Sequence, residues 1–173
     1  MESFRIDGNA GRAYGISVEE AQECTDELVR TVLEIDLQTF SENTFSSYTA
    51  RAFLQHGHVF LLRADSVVIG TCVLMRSWDR PQEALLLAMG IRPGWRGRGL
   101  GQHFVQGILD RLAARGLRSV CLYVSQDNRR AIRVYEDTGF QVVERQAADP
   151  RTRDRMLVMR CQLQEHAPVA ELP

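Results

Sequence analysis

The chain has 173 residues, enough for one domain with a real core, and 45% of them are hydrophobic, a globular share that argues against wholesale disorder. A formal net charge of -1 argues against a general affinity for nucleic acid or membrane, although basic residues cluster from Arg92 to Arg98 and from Arg145 to Arg155 and leave room for a local anion site. The opening MESFRIDGNA has no basic stretch followed by an apolar run, and no apolar run is long enough to span a bilayer, so a cytoplasmic location is expected.

In chain order, residues 1–12 carry Gly8 and Gly11 with no periodicity and read as a loose lead-in. From Glu19 to Phe40, apolar residues at helical spacing (Leu28, Val32, Ile35, Phe40) predict a helix. FSENTF interrupts it, and Ser41 is a candidate N-cap for a second helix through Phe45, Tyr48 and Phe53. HVFLLRAD and SVVIGTCVLM, with a turn at Ala64–Ser66, predict a hairpin, and the continuous apolar run EALLLAMGI predicts a central strand. GWRGRGLG, Gly94 to Gly101, follows. After it, Leu100, Phe104, Ile108 and Leu112 recur every fourth residue beside Val105 and Leu109, the pattern of an amphipathic helix that Gly116 ends. SVCLYV reads as a strand, and DNRRAIRVYEDTGF as a short helix with Asp127 as candidate N-cap and Gly139 at C′. FQVVER and RMLVMRCQL are the last two strands, around the loop QAADPRTRD, and the tail 165–173 is expected to fray. The elements compose a mixed α/β domain of the α+β type over residues 1–164, with a mainly antiparallel twisted sheet of about six to seven strands flanked by about four helices.

Cys24, Cys72, Cys121 and Cys161 stand far apart with no Cys-x-x-Cys, so reduced thiols are expected rather than a zinc or redox site. His56 and His58 could share a strand face, but no further ligand follows at recognisable spacing, so no metal is expected.

The glycine loop lies between a strand and the start of a helix, where free N–H groups and the positive end of the helix dipole suit a phosphate. Glycine lets an anion approach the backbone and permits positive φ; the plainer alternative is a turn. A P-loop requires Gly-Lys-Ser/Thr, which is absent here, and a dinucleotide fingerprint requires glycine where Gln102 or Phe104 stands. What the stretch does fit is Arg-x-x-Gly-x-Gly, at Arg96, Gly99 and Gly101. With it, the chain resembles the GNAT superfamily of acyl-CoA N-acyltransferases. LYVSQDNRRAIRVYEDTGF is similar to a later motif of that family, through Leu122, Val124, Asn128, Ala131, Tyr135, Gly139 and Phe140. Asn128, Ala131 and Tyr135 are three and four residues apart and so share a helix face.

The resemblance implies acetyl transfer from acetyl-CoA to an amine. It implies that the N–H groups of Gly97, Arg98, Gly99, Leu100, Gly101 and Gln102, introduced by Arg96, cradle the coenzyme diphosphate. Ala131 then lets the pantetheine arm pass and Asn128 bonds its amides. A backbone N–H from Met89, Gly90 or Ile91 receives the oxyanion, with Gly90 suited to a bulge. Tyr135 is the expected general acid: a thiol has a pKa of about 8.5 and a phenol about 10, so tyrosine is protonated when the thiolate leaves. Glu83 is the candidate base, although glutamate-dependent relatives place theirs where Leu85 stands; a salt-bridged glutamate is the alternative. Arg98 and Arg130 are candidates for the adenosine end of the coenzyme, and His103, in the first turn after the loop, either nears the phosphates or sits exposed.

FSENTF and the layout of LYVSQDNRRAIRVY also resemble ribosomal-protein alanine N-acetyltransferases. That group commonly carries Leu-Glu-Val where this chain has Leu122-Tyr123-Val124, and tyrosines where the last loop offers Arg151, Arg153 and Arg155. Those arginines suit an acidic peptide, or simply solvate the loop. The expected acceptor is a protein or peptide amine ahead of a small-molecule amine such as a polyamine, amino acid or drug. A non-catalytic acyl-CoA binder is the other class, and the chain is expected as a monomer or homodimer.

Overall fold

Alternating and helical apolar periods sort the chain, in a computed structural model that describes residues 4–7, 13–41, 44–150 and 153–164, into eight strands and four α-helices. In chain order these are β1 (Phe4–Asp7), β2 (Ala13–Glu20), α1 (Asp26–Phe40), α2 (Ser47–His56), β3 (His58–Ala64), β4 (Val67–Arg76) and β5 (Glu83–Ile91). A 3-10 turn, Pro93–Trp95, precedes α3 (Leu100–Ala114), β6 (Ser119–Ser125), α4 (Arg129–Asp137), β7 (Gln141–Arg145) and β8 (Met156–Gln162). They fall into two compact units, one of residues up to Met75 with Leu86–Phe104, the other of Arg76–Leu85 with residues from Val105 onward. No described helix is long and apolar enough to cross a membrane.

In the first unit the strand order is β1-β2-β3-β4-β5. The β1–β2, β2–β3 and β3–β4 pairs are antiparallel, with Ile6 opposite Tyr14, Val18 opposite Leu62 and Leu62 opposite Gly70. Val29 and Val32 of α1 and Ala50 of α2 bury against Val59, Leu61 and Val73, and each fully buried valine or leucine contributes about 1.5–3 kcal/mol. Three expectations change here. Residues 4–7 form a strand within the stretch read as a loose lead-in, and Ala13–Glu20 is a strand, so helix begins only at Asp26. Ile16 and Val18 point inward with period two, and the Thr25 hydroxyl caps α1 by accepting from the Leu28 N–H at 3.1 Å. Ser41, expected as an N-cap, instead terminates α1 at φ 54, and Ser46 caps α2.

Between those helices, the buried Asp36 carboxylate accepts the Phe45 N–H at 2.7 Å. Burial raises its pKa, against the opposing pull of that hydrogen bond. A raised carboxylate pKa means the native state holds the proton more tightly than the unfolded chain. This contribution to stability is therefore full below the unfolded value of 3.8 and is lost as pH rises through the higher native value. Asp36→Asn, which can still accept from Phe45, is expected to raise the melting temperature at pH 7, and the gain should vanish near pH 3.5. A lower melting temperature for the asparagine variant at pH 7 would contradict this account.

In the second unit the order is β5-β6-β8-β7, with β6 parallel to its neighbour β5 and the β6–β8 and β7–β8 pairs antiparallel. Leu122 and Val142 both lie opposite Met159. The inward stripe of α3 is buried as its spacing predicts: Val105, Ile108, Leu109 and Leu112. The arrangement is α+β with a mixed, mainly antiparallel sheet, and β1 and β2 supply the strands beyond the six read from sequence. The four cysteines are free, and burial pushes the Cys72, Cys121 and Cys161 thiols upward, with the Glu83 charge adding to the effect at Cys121.

Candidate active site

The end of β5 is built for close approach. A Cβ on Gly90 would collide with Thr39 Oγ1 and stand 3.0 Å from Ile35 Cγ2, so the missing side chain lets the last turns of α1 lie on the strand. Gly90→Ala is expected to cost about 1–3 kcal/mol through overpacking, checked by urea denaturation. Arg96 then locks this corner. Its Nε donates to the Ile91 carbonyl at 2.6 Å, and Nη2 donates to the Gln38 carbonyl at 3.1 Å and to Thr39 Oγ1 at 3.4 Å. Gln38 lies in the last turn of α1, where carbonyls lack helical partners and the dipole favours a cation. The Arg96 side chain therefore holds the loop to α1 and to the end of β5, and its backbone N–H donates to the Pro93 carbonyl at 3.2 Å.

The loop beyond takes two left-handed residues, Gly97 at φ 82 and Gly99 at φ 75, separated by Arg98 outside that region. Alternation of this kind turns successive N–H groups toward one concave side, the geometry of an anion nest. The first helical bond of α3 runs from the His103 N–H to the Gly99 carbonyl at 3.2 Å. Among the described residues, no protein acceptor meets the N–H groups of Gly97, Gly99, Leu100 or Gly101. Leu100 is buried and seats the helix, while Gly97 and Gly99 stay exposed.

The second unit carries the other candidates. Asn128, rather than Asp127, caps α4: its Oδ1 accepts the Ala131 N–H at 3.1 Å, which leaves the side-chain NH2 as the group able to serve a ligand amide. Ala131 and Tyr135 follow at helical spacing. Tyr135 is 7% exposed, and its ring lies 5.5 Å from that of Phe140 at 56°. Its backbone is held as well. The Phe140 N–H bonds the Tyr135 carbonyl, the Gly139 N–H bonds Glu136, and Gly139 at φ 91 completes a Schellman stop. Buried Thr138 adds an Oγ1 bond to the Tyr135 carbonyl at 3.0 Å.

Glu83 is 7% exposed and its carboxylate is already engaged. Oε1 lies 3.1 Å from Arg80 Nη1; Oε2 lies 2.9 Å from Arg160 Nε and accepts from Ser119 Oγ at 3.2 Å. A base needs a lone pair facing the substrate, and here both oxygens face cations or a hydroxyl. Glu83 also opens β5, whereas Met89 to Ile91 close it, and six residues of extended chain span about 20 Å. The ion-paired alternative describes this residue, and proton transfer is not assigned to it.

Elsewhere, His58 Nε2 lies 3.4 Å from Glu20 Oε2, and among the described residues no group of three or more His, Cys, Asp or Glu converges as a metal site would. In the last loop, Arg153 (φ 66) bonds through its N–H to the Asp149 carbonyl, the Arg155 carbonyl accepts from Gln126, and Arg151 lies outside the described residues, as does the tail 165–173. Arg130 is exposed on α4. Sequence reasoning assigned nothing to Arg92 and Trp95, although a cation and an aromatic ring flanking a glycine loop were the available signals. Arg92 Nε donates to the Val68 carbonyl at 3.1 Å, and its Nη2 pairs with Glu34 at 3.1 Å.

Three kinds of likeness bear on this geometry. The pattern of the family described as "Acetyltransferase (GNAT) family" matches residues 22–140. Among curated proteins, the mycothiol acetyltransferase of Mycobacteroides abscessus is 41% identical over 73 residues, 42% of this chain and 25% of that protein. That of Sanguibacter keddieii is 32% identical over 104 residues, 58% of this chain and 33% of that protein. The matched stretch thus spans a quarter to a third of these curated relatives. Among solved structures, the ribosomal-protein-S18-alanine N-acetyltransferase from Escherichia coli superposes with TM-score 0.74 at 19% identity, covering 91% of this chain and 99% of that one. A chain of the NatC complex bound to Gag peptide and CoA gives TM-score 0.74 at 17% identity, covering 86% and 99%. At such identities the structures share the fold.

Proposed function

The chain belongs to the GNAT acetyltransferase family, and on that premise we propose that it transfers an acetyl group from acetyl-CoA to a primary amine, a protein or peptide α-amine ahead of other acceptors. The observation that carries this reading is the set of N–H groups without protein acceptors among the described residues, those of Gly97, Gly99, Leu100 and Gly101, at the head of α3. These hold the diphosphate, and the side-chain NH2 of Asn128 is left for the pantetheine amides. The amine attacks the thioester carbonyl and the C–O π pair moves to oxygen. An N–H at Met89 to Ile91 receives that oxyanion. Collapse of the tetrahedral intermediate breaks the C–S bond and expels the thiolate, which takes the Tyr135 hydroxyl proton; the extra proton on the acylated nitrogen leaves to water, and the phenolate regains one from water.

With Glu83 engaged by Arg80 and Arg160, the acceptor has to arrive neutral. At pH 7 an α-amine near 7.8 is neutral to roughly a tenth, and a lysine near 10.4 to roughly one part in a few thousand. That difference favours an α-amine. Two proteins of the same fold point the same way by name, one acting on a ribosomal-protein alanine and one bound to a peptide with CoA. The second reading, a small-molecule amine, is favoured by sequence identity to the mycothiol acetyltransferases.

The test is thiol release from acetyl-CoA with separate panels: free peptides, N-terminally blocked lysine peptides, and small amines. Turnover on free peptides with none on blocked ones is expected. Turnover confined to small amines would install the second reading, and coenzyme binding with no turnover on any panel would make the chain a non-catalytic sensor.

A further inference from the structure

We infer, resting on the reading of a protein acceptor above, that a groove beside α1 docks a basic segment of that acceptor, several residues away from the amine that is acetylated. The groove lies within the first unit, between the loop that leads from β2 into α1, the first half of α1 and the start of β4, and it encloses about 580 Å³. That volume accepts side chains of a peptide. Its floor is apolar, made by Leu28, Leu61, Val67 and Val68, and Val67 is 57% exposed.

The rim decides what the groove takes. Both of its arginines are already neutralised: Arg63 Nε lies 2.8 Å from Glu19 Oε2, and Arg92 Nη2 lies 3.1 Å from Glu34 Oε2. Glu23 and Glu27 also line it, both exposed, and among the described residues no cation meets either carboxylate. Uncompensated negative charge above an apolar floor repels anions. It suits a lysine or arginine, whose aliphatic stem lies along apolar surface while its charged head stays in water beside a carboxylate. Position ties the groove to the acceptor. Glu27, Thr31, Glu34 and Gln38 recur at helical spacing and share one face of α1. Glu27 and Thr31 line the groove, Glu34 holds Arg92, and the Gln38 carbonyl holds Arg96. The same helix ends against Gly90, where Thr39 and Ile35 fill the place of its missing side chain. The rise from Glu27 to Thr39 is about 18 Å, which roughly five or six residues of extended chain cover. A basic residue that far from the reacting amine reaches Glu27 while the amine stands at the end of β5.

The experiment has a binding arm and a turnover arm, both with the full chain. The binding arm is calorimetry with an N-terminally acetylated peptide of about ten residues that carries arginines at about the sixth to eighth positions, and with its glutamine counterpart. Neither peptide offers an amine, so this arm reads the groove apart from catalysis. The arginine peptide is expected to bind more tightly than the glutamine peptide, with a Kd that rises about three- to tenfold in Glu23→Gln/Glu27→Gln and also rises with salt. Val67→Asn keeps the charges but wets the floor, and is expected to weaken binding about twofold or more. All three positions are exposed, so the variants should melt near the parent. In the turnover arm, with the same peptides unblocked, arginine is expected to lower KM several-fold and leave kcat unchanged. Glu23→Gln/Glu27→Gln should erase that difference and leave turnover of the glutamine peptide at the parental value. An arginine peptide that binds no better than the glutamine one, or that is insensitive to the glutamate pair, overturns the inference. So does spermidine that binds through Glu23 and Glu27 where the arginine peptide does not, which makes the groove a small-polyamine site. Glutamate-dependent docking with no turnover of any free peptide supports the groove and overturns the acceptor reading. Turnover of free peptides without preference for arginine overturns the groove and leaves that reading standing.

Discussion

Tyr135→Phe lowers the turnover number for acetyl transfer by about 10²- to 10⁴-fold, the range for loss of a general acid, and leaves coenzyme affinity near that of the parent. The substitution removes one atom and keeps the ring and the backbone. The ring still lies against Phe140, 5.5 Å away, and the backbone carbonyl still receives the Phe140 N–H that ends α4. The Schellman stop is made by backbone groups and does not depend on the hydroxyl. What is lost is the proton for a leaving thiolate whose conjugate acid has a pKa of about 8.5, a poor leaving group at neutral pH compared with a protonated thiol. Steady-state kinetics with saturating acceptor gives the turnover number, and calorimetry gives the coenzyme Kd. Equal losses in both would mean that Tyr135 only shapes the coenzyme channel, and an unchanged turnover number would place the proton donor elsewhere.

Much of this arrangement was legible in the sequence where pattern and punctuation agreed. The stripe Phe104, Val105, Ile108, Leu109, Leu112 sits between a glycine loop and Gly116, and it is buried as a helix face. The β3–β4 hairpin announced itself by β-branched runs around Asp65-Ser66. Where signals were short or shared, the reading slipped. AYGISVEE holds only two inward apolar residues and overlaps at Glu19 and Glu20 with a helical stripe, too little period-two signal to mark a strand. Ser41 and Ser46 are both serine beside a helix, and only the chain path decides which ends α1 and which begins α2. Asp127 and Asn128 are equally good caps by type.

The partners of a charged residue were the least legible, because they arrive from distant segments. Glu83 meets Arg160 and Ser119 only once β5, β6 and β8 are assembled. Nothing local distinguishes a carboxylate awaiting a proton from one bound to two guanidiniums. Arg96 shows the converse. The motif gives it as the residue that introduces the loop, and nothing in the motif tells that its side chain holds β5 to α1.

Gly99→Val should weaken coenzyme binding by about 10- to 100-fold, the loss of one to two charge-assisted N–H contacts at roughly 1.5 kcal/mol or more each. Two effects separate cleanly at this position. Gly99 has φ 75, and a β-branched residue there is strained by on the order of 1–3 kcal/mol, which lowers stability or shifts the loop out of its nest. Around it, however, a Cβ would meet no protein atom within 4 Å, so the side chain enters open space rather than the core. If that space is where the diphosphate sits, valine takes the anion's place as well as bending its donors away. Gly94 supplies the control. A Cβ there also meets nothing within 4 Å, yet its φ lies outside the left-handed region and it stands in the 3-10 turn ahead of the loop rather than in the nest. Gly94→Val should therefore bind coenzyme like the parent. Equal losses at both positions would point to general disorder of the loop, and a folded Gly99→Val chain with parental affinity would remove the diphosphate from the head of α3.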